Sequence, residues 1–244
     1  MIDTHAHLDA LEHPAGAVAR AHAAGVERIV AIGSGLASTR ATLEIARRAE
    51  GVFCAVGVHP HQAADGESLD ELRALIDGDV VAVGEIGLDF FRDYAPRDRQ
   101  RGVFADQLRL AAELGKPVII HSRAADHEIA AMLEDFDGTV VLHCFSSPGL
   151  LPVALERGYY VSFAGNVTYP KAKELRDAAD RVSADKILAE TDCPFLAPQP
   201  VRGQTNEPSF VMHTVATLAE VRGEAADGLA SRIDANAAAA FGLP

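Results

Sequence analysis

The residues of this sequence that are best suited to chemistry are histidines and carboxylates that follow short apolar runs. They are His5, His7, His59, His61, Glu85, His121, His143 and Asp192. Imidazole and carboxylate ligands together suit Zn²⁺, Mn²⁺, Fe²⁺ or Ni²⁺, and they suit Mg²⁺ when water completes its shell. A lone histidine at a strand end usually has a structural role, but six histidines and two carboxylates in equivalent places predict a metal site.

The candidate ligands outnumber what one ion requires. Even four of these histidines, taken with the two carboxylates, exceed the ligands of a single tetrahedral site and fit two ions that share one carboxylate. Two metal ions about 3.5–4 Å apart serve phosphoryl transfer and other hydrolysis. Glu85 is the natural bridge, because Gly84 and Gly87 leave room beside it. A carbamylated lysine bridge is disfavoured, because no lysine ends a predicted strand; the lysines are Lys116, Lys171, Lys173 and Lys186.

Strand and helix patterns alternate along the chain and would place these ligands together. The predicted strands are Ile2–Thr4, Arg28–Ile32, Phe53–Val58, Val80–Val83, Val118–Ile120, Val140–Leu142, Tyr159–Phe163 and Ile187–Ala189. The predicted helices are Pro14–Ala24, Leu36–Glu50, Leu69–Ile76, Arg99–Leu114, Ala125–Phe136, Lys171–Ala179, Pro208–Leu218 and Ala225–Ala240. Repeated strand–helix units predict an α/β fold.

A closed (β/α)8 barrel is favoured over an open, doubly wound sheet. The candidate ligands follow too many different strands for the single crevice at which an open sheet binds its ligand. In a barrel, by contrast, the C-terminal ends of all strands meet at one face, and barrel enzymes place their chemistry there. His5 and His7, two residues apart on one strand, point to the same side.

Composition favours one ordinary globular domain over residues 1–244. Of the 244 residues, 48% are hydrophobic and 23% are charged, and the formal net charge is −13. Such a charge argues against an extended electrostatic grip on duplex nucleic acid. Three cysteines give no disulfide framework, and we find no signal peptide or transmembrane segment, so we expect a reduced, cytoplasmic setting. We interpret Cys144 and Cys193 as packing residues.

Several segments resemble those of one known family. They are Asp3-Thr4-His5-Ala6-His7-Leu8-Asp9, Gly57-Val58-His59-Pro60-His61, Gly84-Glu85-Ile86-Gly87-Leu88-Asp89, Pro117-Val118-Ile119-Ile120-His121-Ser122-Arg123, His143-Cys144-Phe145-Ser146, Ser162-Phe163-Ala164-Gly165, Glu190-Thr191-Asp192-Cys193-Pro194 and Asn206-Glu207-Pro208. In order and over nearly the whole chain, the sequence resembles the TatD-type metal-dependent deoxyribonucleases of the amidohydrolase-like barrels.

The resemblance implies a single-domain TIM-type barrel that hydrolyses phosphodiester bonds in DNA, with 3′-5′ exonuclease action on single-stranded ends as one form of that activity. It further implies two divalent metal ions. One set of ligands would be His5, His7, Glu85 and Asp192, and the other Glu85, His121 and His143. The chain departs from the family at two positions: Ser147 stands where such proteins often have Gly, and Gln204 where a Lys commonly precedes Asn-Glu-Pro.

The expected reaction is in-line attack on phosphorus by a water that the metal ions activate. Glu85 and Asp192 are the candidate catalytic residues, and Asp192 would accept a proton from the water. His59, Arg123 and Asn206 are candidates for contacts with phosphate oxygens, although ordinary structural hydrogen bonding explains each equally well. Two further carboxylates would orient the ligands, Glu190 and Asp89.

The segment after Glu85 is a candidate surface for single-stranded or frayed DNA. Three aromatic residues alternate there with arginines, in the order Phe90, Phe91, Arg92, Tyr94, Arg97, Arg99 and Arg101. Aromatic faces can stack on bases and guanidinium groups can contact phosphates, so Arg92 is a candidate substrate-binding residue. The alternative is a solvent-facing stretch whose charge is diluted by Asp93 and Asp98.

Two other functions fit parts of the pattern. The first is a metal-dependent ester or amide hydrolase on the same scaffold, such as an aminoacyl-tRNA deacylase, because a scaffold does not determine a substrate. The second is a metal-stabilised barrel that binds a partner without catalysis, which the full set of candidate ligands disfavours. Composition fits a monomer or a weak homo-oligomer.

Overall fold

Eight parallel strands form the central sheet of the computed structural model, which describes residues 1–92 and 94–244. The strands are β1 (Ile2–Ala6), β2 (Arg28–Ser34), β3 (Val52–Gly57), β4 (Val80–Asp89), β5 (Val118–Arg123), β6 (Val140–Leu142), β7 (Tyr160–Phe163) and β8 (Ile187–Ala189). They pair in sequence order. The ends meet through a parallel bridge between Ala6 and Cys193, which brings the sheet to a nearly closed barrel and confirms the predicted fold.

Helices follow the strands along the chain. In the described residues they are α1 (Pro14–Ala23), α2 (Leu36–Ala46), α3 (Leu69–Leu75), α4 (Arg97–Leu114), α5 (Asp126–Met132), α6 (Leu151–Arg157), α7 (Lys173–Arg181), α8 (Val211–Arg222) and α9 (Ala226–Phe241). The strands are buried almost throughout because these helices cover the outside of the sheet. A search of the described residues finds no helix with the length and hydropathy needed to cross a membrane.

Two strands extend well beyond the ends that their sequence patterns indicated. The predicted strands ended at Val83 and Ile120, whereas β4 continues to Asp89 and β5 to Arg123. Glu85 and His121 therefore lie within strands, and the register between β4 and β5 is irregular between Val83 and Ile86, where Glu85 lies. Gly84 makes this close pairing possible, since a Cβ there would lie 2.6 Å from the Cβ of Ile119.

A buried carboxyl group joins the first strand to the segment after the last one. Asp3 is fully buried, and its Oδ1 accepts hydrogen bonds from the backbone N–H groups of Thr191 at 2.9 Å and His5 at 3.3 Å. The Thr191 hydroxyl donates to Asp3 Oδ2 at 2.5 Å. Burial raises the pKa of Asp3 to about 8, although the hydrogen bonds from Thr191 act in the opposite direction. At neutral pH the Asp3 carboxyl group is therefore protonated, and its hydrogen bonds connect β1 to Thr191 after β8.

We expect Asp3→Asn to become more stable, relative to the wild type, as the pH rises from 5 to 8. The ordinary pKa of this group is 3.8, so the unfolded wild-type chain releases a proton that the folded chain retains, and the free energy of unfolding falls as pH rises through this range. Asparagine keeps the shape without titrating. Urea unfolding of both metal-free proteins at the two pH values measures the difference, and an unchanged difference would contradict a raised pKa.

Candidate metal centre

The strands bring all eight candidate ligands to the C-terminal mouth of the barrel. Seven of them line a cavity of about 850 Å³ there: His7, His59, His61, Glu85, His121, His143 and Asp192. His5 is fully buried beside them, with its ring stacked on that of His143 at a centroid distance of 3.9 Å. The side chains that the spacing predicted to be neighbours therefore lie together at one end of the barrel.

One group of ligand atoms surrounds Oε2 of Glu85. The Nε2 atoms of His5 and His7 lie 3.5 and 3.6 Å from this oxygen. The same two nitrogens lie 3.8 and 3.5 Å from Oδ1 of Asp192, and 3.3 Å from each other. Two imidazole nitrogens and two carboxylate oxygens therefore converge on one point, which is the donor set of a divalent cation.

A second group surrounds the other oxygen of Glu85. Nδ1 of His121 lies 2.7 Å and Nε2 of His143 lies 2.8 Å from Glu85 Oε1. Nε2 of His59 lies 3.3 Å from the same oxygen. The sequence offered His59 both as one of the eight candidate ligands and as a contact for phosphate, and the structure places its ring nitrogen beside Glu85. The two carboxylate oxygens of Glu85 thus face two separate sets of imidazoles.

The chemistry of these donors fits metal ions. The described residues contain three groups whose ligand atoms all lie within 4.8 Å of one another, namely His5–His143–Asp192, His5–His7–Glu85 and His59–Glu85–His121. Nδ1 of His5 and Nε2 of His121 are buried without a hydrogen-bond partner. Many lone pairs of nitrogen and oxygen thus lie close together with few hydrogen-bond donors among them, which is the arrangement that a bound cation stabilises.

The pKa shifts of Glu85, His59 and His5 favour metal binding, whereas burial is outweighed at His7, His121 and His143 by nearby carboxylates that raise their pKa values. Burial by itself would raise the pKa of Glu85, but the charges of His143 and His59 and the hydrogen bonds from His121 and His143 hold it well below its usual range. Burial lowers the pKa of His59 to about 4 and also lowers that of His5. Glu85 is therefore a carboxylate and these two imidazoles are neutral, which are the forms that coordinate metals.

The pKa of His143 is raised, so its imidazole carries a positive charge beside the carboxylates of Glu85 and Glu190. Burial alone would lower its pKa, but the charges of Glu85 and Glu190 and hydrogen bonds to both raise it well above the ordinary value. Nδ1 of His143 lies 3.1 Å from Oε1 of Glu190, which also accepts a hydrogen bond from the Cys144 backbone N–H at 2.8 Å. Glu190 therefore orients the His143 ring, the role that the sequence suggested for it.

Asp89 holds two imidazoles and the loop that follows it. Its buried Oδ2 lies 2.7 Å from Nε2 of His61 and 3.4 Å from Nε2 of His121. Its Oδ1 accepts hydrogen bonds from the backbone N–H groups of Phe91 and Arg92, both at 2.9 Å. Asp89 thus contacts the candidate ligands His61 and His121 and also holds the backbone at Phe91 and Arg92. His61 was one of the eight candidate ligands in the sequence but belonged to neither implied ligand set, and the structure pairs it with Asp89.

Left-handed backbone conformations occur at several positions of this mouth, among them Asp192 and Cys144. Asp192 has φ 56° and Cys144 has φ 42°, a region that residues other than glycine seldom adopt and that is common at functional sites. The turn at Cys144 breaks strand alternation, so its side chain lines the cavity, contrary to the packing role predicted for it. Cys193 is fully buried, as expected for a packing residue.

The four candidates for substrate contact have different positions. Arg92 and Arg123 line the cavity, and the Arg123 guanidinium lies 4.1 Å from the centre of the Phe91 ring. The prediction for Asn206 is wrong, because this side chain is fully buried and its Nδ2 donates to the backbone carbonyls of Thr191 at 2.8 Å and Phe195 at 2.5 Å. It braces the loop after β8 and has no amide hydrogen left for a phosphate.

The arginine-rich segment divides into two parts. Arg92 belongs to the cavity rim, whereas Arg97 and Arg101 lie on α4 with their guanidinium carbons 4.5 and 5.3 Å from the centre of the Phe90 ring. Arg101 also pairs with Glu128. These two arginines therefore pack on the outside of the barrel and do not face the cavity. Asp93, an acidic residue of this segment, lies outside the described residues.

Comparisons with known proteins agree with this geometry. The family described as TatD related DNase matches residues 2–242. "Uncharacterized metal-dependent hydrolase YabD" of Bacillus subtilis is 36% identical over 251 residues, which covers 99% of this chain and 98% of that protein. "3'-5' ssDNA/RNA exonuclease TatD" of Cronobacter sakazakii is 39% identical over 238 residues, which covers 92% of this chain and 90% of that one.

Solved structures give the same result. The crystal structure of YJJV, a TatD homolog from Escherichia coli, superposes with a TM-score of 0.94 at 32% identity and covers 100% of this chain and 98% of that chain. A beta-aspartyl dipeptidase from Fervidobacterium islandicum has a TM-score of 0.65 at 17% identity, which shows a shared fold alone. The resemblance seen in the motifs is confirmed: the chain belongs to the family of TatD-related DNases, an enzyme family that includes metal-dependent hydrolases.

Proposed function

We propose that this protein is a nuclease that removes nucleotides from the 3′ end of single-stranded DNA and depends on two divalent metal ions. The observation that carries the proposal is the position of Glu85, whose two oxygens face two separate groups of imidazoles. A carboxylate shared between two ions is typical of sites that hydrolyse phosphodiesters. Relatives of this chain carry the name "3'-5' ssDNA/RNA exonuclease TatD".

The proposed ligand sets follow the two groups. One ion would bind to His5, His7, Glu85 and Asp192. The other would bind to Glu85, His121 and His143, with His59 as a further ligand beyond the two sets that the resemblance implied. When bound, the ions supply Lewis-acid stabilisation of the charge that develops on the phosphate, and they make water more acidic. Zn²⁺, Mn²⁺, Mg²⁺ and Ni²⁺ are all compatible with these donors.

Asp192 is the residue to which we assign the proton that the attacking water loses. Burial alone would raise the pKa of Asp192, but a hydrogen bond with His7 and the charges of His143 and His5 lower it, so the group is an ionised base. Its left-handed backbone is held by the Asp192 N–H, which donates to the His5 carbonyl oxygen at 3.0 Å. The side chain is therefore fixed at the point where β8 meets β1.

The rim of the cavity suits the unpaired bases of a single strand. Phe91 and Tyr94 are each 61% exposed and Phe195 is 57% exposed, which is unusual for aromatic side chains beside a cavity. The Tyr94 ring lies 4.7 Å from that of His61, and the Phe195 ring lies 6.0 Å from that of His7. Aromatic faces near the reacting centre can stack on bases without reading their sequence.

Digestion of end-labelled single-stranded DNA tests this proposal. With Mn²⁺, Mg²⁺, Zn²⁺ or Ni²⁺, we expect 3′-labelled DNA to release labelled mononucleotide at once, and 5′-labelled DNA to shorten in single-nucleotide steps. An aminoacyl ester substrate assayed beside the DNA serves as the control for the rival hydrolase activity. Hydrolysis of the ester without hydrolysis of either DNA would contradict the proposal.

We expect Arg92→Ala to raise the KM for single-stranded DNA about fivefold and to reduce the slope of its salt dependence by about 0.7, because one phosphate contact is lost. Turnover of a small bis-aryl phosphodiester should hardly change, because that substrate does not reach the rim. Arg99→Ala is the matched control, since Arg99 is exposed on α4 and does not line the cavity. Equal losses on both substrates would show that Arg92 supports the site and does not contact DNA.

A further inference from the structure

A second cavity lies directly beside the metal cavity at the ends of β5 and β6. Its volume is about 460 Å³, within the usual range for small-molecule sites. Ser122, Arg123 and Ser146 line both cavities, so the two spaces share one wall. The second cavity is completed by Ala124, Asp126 and Ser147, and the ligand groups around Glu85 do not include any of its lining residues.

Arg123 provides a positive charge on the shared wall. Its side chain is exposed, and its guanidinium carbon lies 4.1 Å from the centre of the Phe91 ring. Phe91 is in turn held by Asp89, because its backbone N–H donates to Asp89 Oδ1 at 2.9 Å. A planar guanidinium resting on a fixed aromatic ring is a suitable contact for a phosphate that lies between the two cavities.

The inner side of the second cavity is polar but does not suit a phosphate. Oδ1 of Asp126 accepts a hydrogen bond from the Ser122 hydroxyl at 3.2 Å, and its Oδ2 accepts one from the Gly149 N–H at 3.2 Å. The Ser147 hydroxyl donates to the Ser122 carbonyl oxygen at 3.1 Å. A carboxylate repels a phosphate but accepts hydrogen bonds from the N–H and O–H groups of a neutral nucleoside.

We propose that this second cavity binds the penultimate nucleoside of the substrate strand, the one that becomes the new 3′ end after cleavage. The terminal nucleotide then occupies the metal cavity and the strand leaves the enzyme across Arg123, over the ends of β5 and β6. This inference rests on the proposed nuclease function and extends it, because it assigns the direction of the strand and a subsite that would make a complete dinucleotide a better substrate than one that lacks the penultimate base.

The test compares two dinucleotides. One is thymidylyl-(3′,5′)-thymidine, and the other carries an abasic tetrahydrofuran in place of the 5′ nucleoside, so that only the penultimate base is missing. For the wild type we expect kcat/KM to be about tenfold higher for the complete dinucleotide, the effect of one bound base. Competitive inhibition by thymidine 5′-monophosphate, which fills the metal cavity alone, provides a control that does not involve the second cavity.

Two substitutions at Ala124 connect this preference to the second cavity. Ala124 is exposed and has φ 53°, a conformation that His and Asn adopt more readily than most residues do. Ala124→His should fill the cavity and reduce the preference to about threefold or less, whereas the smaller Ala124→Asn should keep it near tenfold. The inhibition constant for thymidine 5′-monophosphate should stay the same in all three proteins.

The possible outcomes separate the inference from the function on which it rests. Equal cleavage of both dinucleotides by the wild type would overturn the second-cavity inference alone, as would a loss in Ala124→His that is equal for both dinucleotides. Failure of the wild type to cleave either dinucleotide with any of the divalent ions would overturn the proposed nuclease function, and this inference with it.

Discussion

Replacing Glu85 with glutamine is expected to reduce nuclease activity by about 1000-fold or more while the barrel stays folded. Glutamine preserves the shape of the side chain but removes its charge, and its amide nitrogen must then face one of the two imidazole groups. Because both oxygens of Glu85 lie within 3.6 Å of candidate ligands, both metal positions should weaken. Elemental analysis after gel filtration should show a clear loss of bound metal.

Glu44→Gln is the matched control for this substitution. Glu44 is exposed on α2, where it pairs with Arg48, so the same chemical change there should alter neither activity nor metal content. Circular dichroism would verify that both variants are folded. Full activity and unchanged metal content in Glu85→Gln would exclude Glu85 from the metal centre.

We expect His5→Ala and His143→Ala each to weaken mainly one metal position, and not the same one. His5 lies with His7 near Oε2 of Glu85, whereas His143 lies 2.8 Å from Oε1. The loss of a residue that only orients a ligand typically lowers metal affinity by about 10- to 100-fold, so the loss of a ligand imidazole should lower it by at least as much. A calorimetric titration with Mn²⁺ should therefore lose a different binding step in each variant, and activity should fall in both.

The two positions will not be fully independent. The rings of His5 and His143 are stacked at 3.9 Å, so each substitution also removes a packing partner of the other group. His127→Ala, an exposed position on α5, controls for the loss of an imidazole elsewhere. Two unchanged binding steps in either variant would contradict the division of ligands between the two groups.

The barrel and the ligand positions could be predicted because they depend on local patterns. Apolar runs mark the strands, and in a parallel barrel every strand ends at the same face, so His121 and His143 had to be neighbours even though different strands carry them. The short helix α6 was not among the predicted helices, because its seven residues include Pro152 and give too little periodicity.

The individual roles depended on features that spacing does not contain. Whether His59 reaches Glu85 or a phosphate depends on the direction of its ring after β3. The use of both Asn206 amide hydrogens depends on the path of the loop between Thr191 and Asn206. Cys144 faces the cavity only because its backbone is left-handed. None of these follows from strand alternation, which explains why the expectations for Asn206 and Cys144 were wrong and why the sequence left two roles open for His59.

Anomalous diffraction from crystals of the wild-type protein grown with Mn²⁺ tests the central claim most directly. We expect two anomalous peaks about 3.5–4 Å apart, with Glu85 contacting both. One peak should lie beside His5, His7 and Asp192, and the other beside His121 and His143. A single peak, or two peaks of which only one lies next to Glu85, would contradict a centre bridged by this carboxylate.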